Sequence, residues 1–327
     1  MAGPDLADVF VWTRAVHFVA MLSMAGAMFF AAFVGEPALR STNCNEDVVS
    51  VLRSRLAAII WVSLLAGFIS AWMWLVLLTA RLSDVPAVSV LSGGPLWMVL
   101  SETDFGQIWG VRLLLMLVLA AVLLLRRNRF DRSRSMQGSS IALALSLVGS
   151  LAWAGHAAAN MGSDLKGNAH LLGDILHLVA AAAWVGALIP LALLLNLSSD
   201  ESLSLLKVSR IATLRFSTLG IVSVGTILLT GLNNTWVLAG SIHALTGTDY
   251  GRLLVVKLIL FLLMLGVATV NRFKLTPLMV QENDISAALE AVRRLRRNAL
   301  VEASLGVLIL VIVAILGAMS PGSEQIE

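Results

Sequence analysis

Long apolar runs, each about as long as a lipid bilayer is thick, alternate with short polar stretches along nearly the whole chain. A crossing helix needs about 20 predominantly apolar residues. Eight segments meet that requirement, at 10–34, 56–80, 106–126, 140–159, 169–196, 212–239, 251–271 and 299–320. None alternates with the period of two expected of a membrane β-strand. The pattern predicts an all-α polytopic membrane protein, a bundle of eight transmembrane helices forming a single integral domain over 1–327.

Shorter elements fall between the spans. Ile285, Leu289, Val292 and Leu295 recur at helical spacing opposite a cluster of arginines. That predicts a basic amphipathic helix, lying on anionic headgroups or continuing into the last span. The stretch 81–105 carries Pro86, the Gly93-Gly94-Pro95 turn signal and Trp97, and is too short for a folded domain; it could cap the outer mouth of the bundle. Ser217, Gly220, Ser223 and Thr226 place small residues along the sixth span, where they would let helices approach closely.

Charge placement orients these elements. Arg40, Arg53 and Arg55 lie between spans one and two, and Arg126, Arg127, Arg129, Arg132 and Arg134 between three and four. Lys207, Arg210 and Arg215 lie between five and six, and Arg272, Lys274, Arg293, Arg294, Arg296 and Arg297 between seven and eight. The opposite side has only Arg81, Lys166 and Arg252. The positive-inside rule then puts both termini outside and the basic loops in the cytoplasm. Asp5 and Asp8 precede the first apolar run and Arg14 lies within it, the reverse of a cleaved signal, so the first helix is expected to be retained.

Composition agrees: 58% of the 327 residues are hydrophobic and 13% charged, about half the charged share of a soluble domain. With the net charge of +3 explained by topology, no nucleic-acid role is expected; the partners implied are membrane lipids. The one cysteine, Cys44, permits no internal disulfide, CxxC metal site or haem attachment motif.

The candidate chemistry is in the histidines. His17, Met21, Met24 and Met28 descend the first span at intervals of four, three and four, which is one helical stripe. Imidazole and thioether suit Cu(I), and weak exchangeable ligands in series would let an ion move instead of trapping it. Methionine is also a common apolar filler, so packing is the competing reading. Arg14 lies one turn above His17 as a candidate partner or gate. His170, Asp174 and His177 share one face of the fifth span, with Asp174 placed to fix a histidine tautomer or relay protons; an interhelical hydrogen-bond network is the alternative. His156 ends the fourth span beside Met161, and His243 falls in an outer loop. All five histidines are thus expected on the outer half. Arg112 and Lys257 are expected to snorkel to the interface, and Glu302 to pair with one of Arg293 to Arg297. There is no GxxxxGK[ST] loop for a nucleotide and no recognisable Ser-His-Asp spacing, so no enzyme is expected.

Several stretches together resemble the CopD family, the copper resistance protein D group of bacterial inner-membrane proteins. They are Arg215-Phe216-Ser217, Thr230-Gly231-Leu232, TDYGRLLVVKL from Thr248 to Leu258, Asn271-Arg272 and Glu302. The outer part of span five (His170, Asp174, His177, Trp184, Gly186) and Thr103-Asp104-Phe105-Gly106 with Trp109 and Arg112 also fit. The last three spans, about 205–320, are the most family-like. The resemblance implies an inner-membrane, multi-pass protein of copper handling, with uptake from the periplasm as the expected direction. It also implies a separate periplasmic copper carrier of the CopC type as a possible partner. The expected ligands are His17, Met21, Met24, Met28, His156, His170 and His177, with Asp174 and Arg14 behind them. Two rival readings remain: a membrane cytochrome with haem between paired histidines, and a non-transporting protein that hands copper on.

Overall fold

The computed structural model describes residues 6–42, 46–128, 134–154, 165–197, 203–239, 242–280 and 285–320. Among these, all regular structure is helical. The elements are α1 (Leu6–Phe29), α2 (Glu36–Arg40), α3 (Glu46–Leu82), α4 (Ala87–Val90), α5 (Gly94–Glu102), α6 (Asp104–Asn128) and α7 (Arg134–Gly149). They continue with α8 (Leu165–Trp184), α9 (Leu188–Leu197), α10 (Leu203–Ala239), α11 (Ile242–Gly247), α12 (Asp249–Val270), α13 (Thr276–Val280) and α14 (Ile285–Leu316). Seven continuous helical segments are long and apolar enough to cross a membrane, and Gly138–Trp153 is a shorter apolar helix in the place of the fourth expected span.

Leu117, Leu229, Leu262 and Val62 are more than half exposed and face outward from the bundle. Such a coat is untenable in water and ordinary in lipid, where every backbone group is satisfied inside its own helix. Burial is uneven. The apolar windows of the α1 and α8–α9 segments are 72% and 67% buried, against 11–33% for the other five. These two segments are the axis of the bundle, and the rest form a ring around them. One apolar cluster joins α1 to α3, α6 and α7; the other joins α8–α9 to α10, α12 and α14. The halves meet where Gly26 of α1 crosses Gly186, in the 3-10 turn Val185–Ala187 between α8 and α9.

Two spans share a local irregularity. α1 runs through the π turn Phe30–Gly35 into α2, and α12 through the π turn Asn271–Leu275 into α13. Each turn is followed by a proline, Pro37 and Pro277. Proline has no N–H to give the carbonyl four residues back, and a π turn is one way a helix absorbs that loss. The carbonyl released by Pro37, that of Phe33, is approached by Nη1 of Arg215 at 3.5 Å.

Several expectations change. Of the two readings of 285–297, continuation into the last span is the one found: α14 is continuous, and Ala288, Ala291, Val292 and Leu295 are buried in the protein core. Gly220, in the small-residue stripe of α10, is not a point of close approach, since a Cβ on it would meet nothing within 4 Å. Trp74 of α3 is 2% exposed. Segment 81–105 folds into α4 and α5, and α5 packs against α6 at Gly106, where a Cβ would fall 1.9 Å from the Val99 carbonyl.

Candidate functional site

His17 sits on the axial helix α1 and is fully buried. Its Nδ1 lies 3.2 Å from the carbonyl oxygen of Gly67 and 3.1 Å from Oγ of Ser70, both on α3. A carbonyl can only accept, so the proton is on Nδ1 and that nitrogen donates. The Ser70 hydroxyl is turned to its own helix, donating to the Ala66 carbonyl at 2.7 Å. Nε2 is therefore left with a lone pair, and it is buried with no hydrogen-bond partner. This is the tautomer a metal-binding histidine needs, fixed by a backbone acceptor on the far nitrogen.

An aromatic wall surrounds that ring. Trp74 meets it edge-on at 5.7 Å, and Trp109 of α6 is tilted against it at 6.0 Å. The indole N–H of Trp109 donates to the Ala71 carbonyl at 2.9 Å, which fixes its plane. Arg112, one turn on, stacks over Trp109 at 4.1 Å. Its Nε donates to Oγ of Ser150 at 2.9 Å and its Nη2 to the Ser150 carbonyl, while Nη1 is buried without a partner. Arg112 is fully buried. It does not snorkel as expected; it turns inward because Ser150, in the 3-10 end of α7, offers two acceptors. Arg14 is not the partner of His17. Its guanidinium lies 4.7 Å over the Trp74 ring and presses on Gly317 at the end of the α14 segment.

The methionines below His17 point into the protein. Met21 and Met24 are fully buried and Met28 is 6% exposed. The Met21 methyl group rests on Gly67, where a Cβ would fall 2.0 Å from it. His17 and Met21 thus converge on one α3 residue that has no side chain to obstruct them.

The α8 residues form a separate polar cluster. His177 pairs through Nδ1 with Oγ1 of Thr230 on α10 at 2.9 Å, and its ring rests on Gly231. Asp174 accepts from Nδ2 of Asn234, also on α10. Lys257 of α12 lies within electrostatic range of both Asp174 and His177, and Tyr250 within range of Asp174. Lys257 is half-buried. His170 is 9% exposed with Nδ1 unpartnered. His156 and Met161 lie outside the described residues, as does the His243 side chain. Among the described residues, no three of His, Cys, Asp and Glu stand close enough to hold a metal ion.

Glu302 also departs from expectation. It is 2% exposed and accepts from Nδ2 of Asn271 at 2.6 Å and from Trp184, not from the arginines of its own helix. Of the residues around these sites, sequence reasoning missed Gly67, Ser70 and Trp74, Ser150, and Asn234. A signal existed for the first three: they stand three and four apart on one face of α3, a polar and aromatic stripe in an apolar span.

Comparison with known proteins agrees with this architecture. Residues 4–166 match the model of the copper resistance protein D-like N-terminal domain, and residues 210–316 that of copper resistance protein D. The chain is 31% identical to copper resistance protein D of Pseudomonas syringae pv. tomato, over 91% of this chain and 93% of that one. It is 27% identical to the inner membrane protein YebZ of Escherichia coli strain K12, over 97% and 99%. With the copper transport protein CutJ of Bacillus subtilis strain 168 it shares 33% identity over 54% of this chain and 32% of that one. No solved structure matches. The chain is a multi-pass protein of the inner membrane and belongs to the copper resistance protein D family.

Proposed function

We propose that this protein carries copper across the inner membrane, from the periplasmic side to the cytoplasm, with Cu(I) as the form that moves. The bundle has eight crossings in this reading, Gly138–Trp153 being part of the fourth, and both termini lie outside. Copper is received in the outer half and passes from His17 to the thioethers of Met21, Met24 and Met28. A separate periplasmic carrier of the CopC type would deliver it. His156, His170 and His177 belong to the receiving side, with Asp174 acting behind the ligands.

One observation carries this reading. The Nε2 of His17 is a lone pair held ready, buried and unpaired, at the top of a stripe of three buried thioethers on the bundle axis. A buried acceptor without a partner costs about 1–3 kcal/mol, and a soft cation would remove that cost. The family supports copper as the substrate, since relatives named for copper resistance and copper transport are similar to this chain in sequence.

The test uses purified protein in vesicles of known orientation. Cu(I) supplied outside should accumulate inside, His17→Ala should abolish accumulation, and the double change His170→Ala with His177→Ala should reduce it. Wild-type rates in all these variants, at equal insertion, would falsify the assignment. The visible spectrum of the same sample distinguishes the haem alternative by a Soret band. Copper binding without flux would point to a protein that only hands the metal on.

A further inference from the structure

The stripe on α1 ends at Met28, two residues before the π turn. A cavity of about 160 Å³ opens there between α1, α3, α6 and α7. Met28 lines one side, and Glu36 with Arg53 lines the other. Glu36 is gripped by Arg53 through two short contacts, Nε to Oε1 at 2.6 Å and Nη2 to Oε2 at 2.8 Å, with Arg40 at 3.8 Å behind. The pair is not sealed inside the protein: its side chains are 20% and 33% exposed.

The π turn decides whether Glu36 belongs to the stripe. In an unbroken α-helix each residue turns about 100°, so Glu36 would stand about 80° away from Met28. A π turn adds one residue to one turn, which sets the following register back by about 100°. The turn at Phe30–Gly35 therefore brings Glu36 beneath the face that carries His17 and the three methionines. The same turn that absorbs the missing N–H of Pro37 aligns a carboxylate with the end of a thioether row.

We propose that this cavity is the cytoplasmic exit of the metal path, a cation site for Cu(I) in which Glu36 receives the ion from Met28. This rests on the path assigned above. The chemistry favours release: Cu(I) binds thioether in preference to carboxylate, so passage from Met28 to Glu36 weakens its hold where it meets water. The Cu–thioether contact breaks, a Cu–carboxylate contact forms, and Arg53 yields its place to the incoming cation. With no ion present, Arg53 neutralises Glu36 and closes the cavity against small cytosolic cations.

The test keeps the exit and the transport function apart. In a Cys44→Ser background, Met28→Cys is exposed to a charged thiol reagent from each face of the vesicle. Labelling is expected from the cytoplasmic face, about tenfold faster once Arg53→Ala opens the bidentate pair. Added Ag(I) should slow it. Leu75→Cys, fully buried on α3, should stay unlabelled. In Cu(I) flux, Glu36→Gln should lose about tenfold while Glu36→Asp retains most of the rate. A Met28→Cys that stays inert from the cytoplasmic face even with Arg53→Ala, or reacts only from the other face, overturns the exit. So does a wild-type flux in Glu36→Gln. If the wild-type protein moves no copper, the transport reading fails, and the labelling still decides whether the cavity is an opening.

Discussion

Gly26 and Gly186 meet backbone to backbone where the two axial segments cross. A Cβ on Gly26 would fall 2.2 Å from the Gly186 carbonyl carbon, and one on Gly186 would fall 2.0 Å from the Leu22 carbonyl oxygen. Neither obstacle is a flexible side-chain end, so nothing nearby can move aside cheaply. Gly26→Ala and Gly186→Ala should each destabilise the protein by about 3 kcal/mol or more, at or beyond the upper end of ordinary overpacking. Gly220→Ala, in open space on α10, should remain within about 1 kcal/mol of wild type. Thermal unfolding in detergent, followed by size exclusion, ranks the three.

The His17 tautomer has a spectroscopic consequence. With ¹⁵N-labelled histidine, His17 should show a protonated Nδ1 and a bare Nε2, and Ag(I) should shift Nε2 while leaving Nδ1 in place. Ser70→Ala should weaken that ring's fixation by about 1 kcal/mol and leave the tautomer unchanged, because the Gly67 carbonyl remains. A protonated Nε2 in the metal-free protein would remove the basis of the proposed ligand.

Arg112 joins α6 to α7 through Ser150 and to the aromatic wall through Trp109. Lysine keeps the charge and loses both the fork and the stacking plane. Arg112→Lys is therefore expected to cost about 1–3 kcal/mol, the penalty for leaving buried partners unsatisfied. A quench-resistant Trp109 in the variant, with unchanged unfolding temperature, would contradict this.

Glu302 is bound by Asn271, which in turn accepts from Nδ2 of Asn298 at 2.7 Å. Glu302→Gln retains an oxygen for the Asn271 donor and should unfold close to wild type. Glu302→Ala strands that donor in a buried place and should lose about 1–3 kcal/mol. A double change with Asn271→Ala should cost less than the sum of the two single changes, because the Asn271 donor that Glu302→Ala strands is then gone; full additivity would mean the pair does not interact.

The spans were legible because hydropathy and length leave few alternatives in lipid. Some inward polar residues were also legible as residue types: His17, Asp174 and His177 stood out as costly in an apolar run, whereas Arg112 was expected at the interface and Glu302 among the arginines of its own helix. Their partners were not. Arg112 ends on Ser150 and Glu302 on Asn271, 38 and 31 residues away. Helical periodicity along one segment carries no information about which face of another segment it meets. The glycines show the same limit. Gly220, in a regular stripe, packs against nothing, while Gly26 and Gly186, in no stripe at all, make the close crossing.

The centrality of α1 bears on how the protein is assembled. The α1 segment leaves the ribosome before every helix that encloses it, is the most thoroughly enclosed of the described spans at the end, and carries Arg14 and His17 into the bilayer ahead of those neighbours. The glycine it must lie against is synthesised 160 residues later. Until then its polar side chains have only α3, α6 and α7 for company. Maturation of this protein is therefore a waiting problem, and whatever shelters nascent helices beside the insertion channel has to hold this one through most of translation.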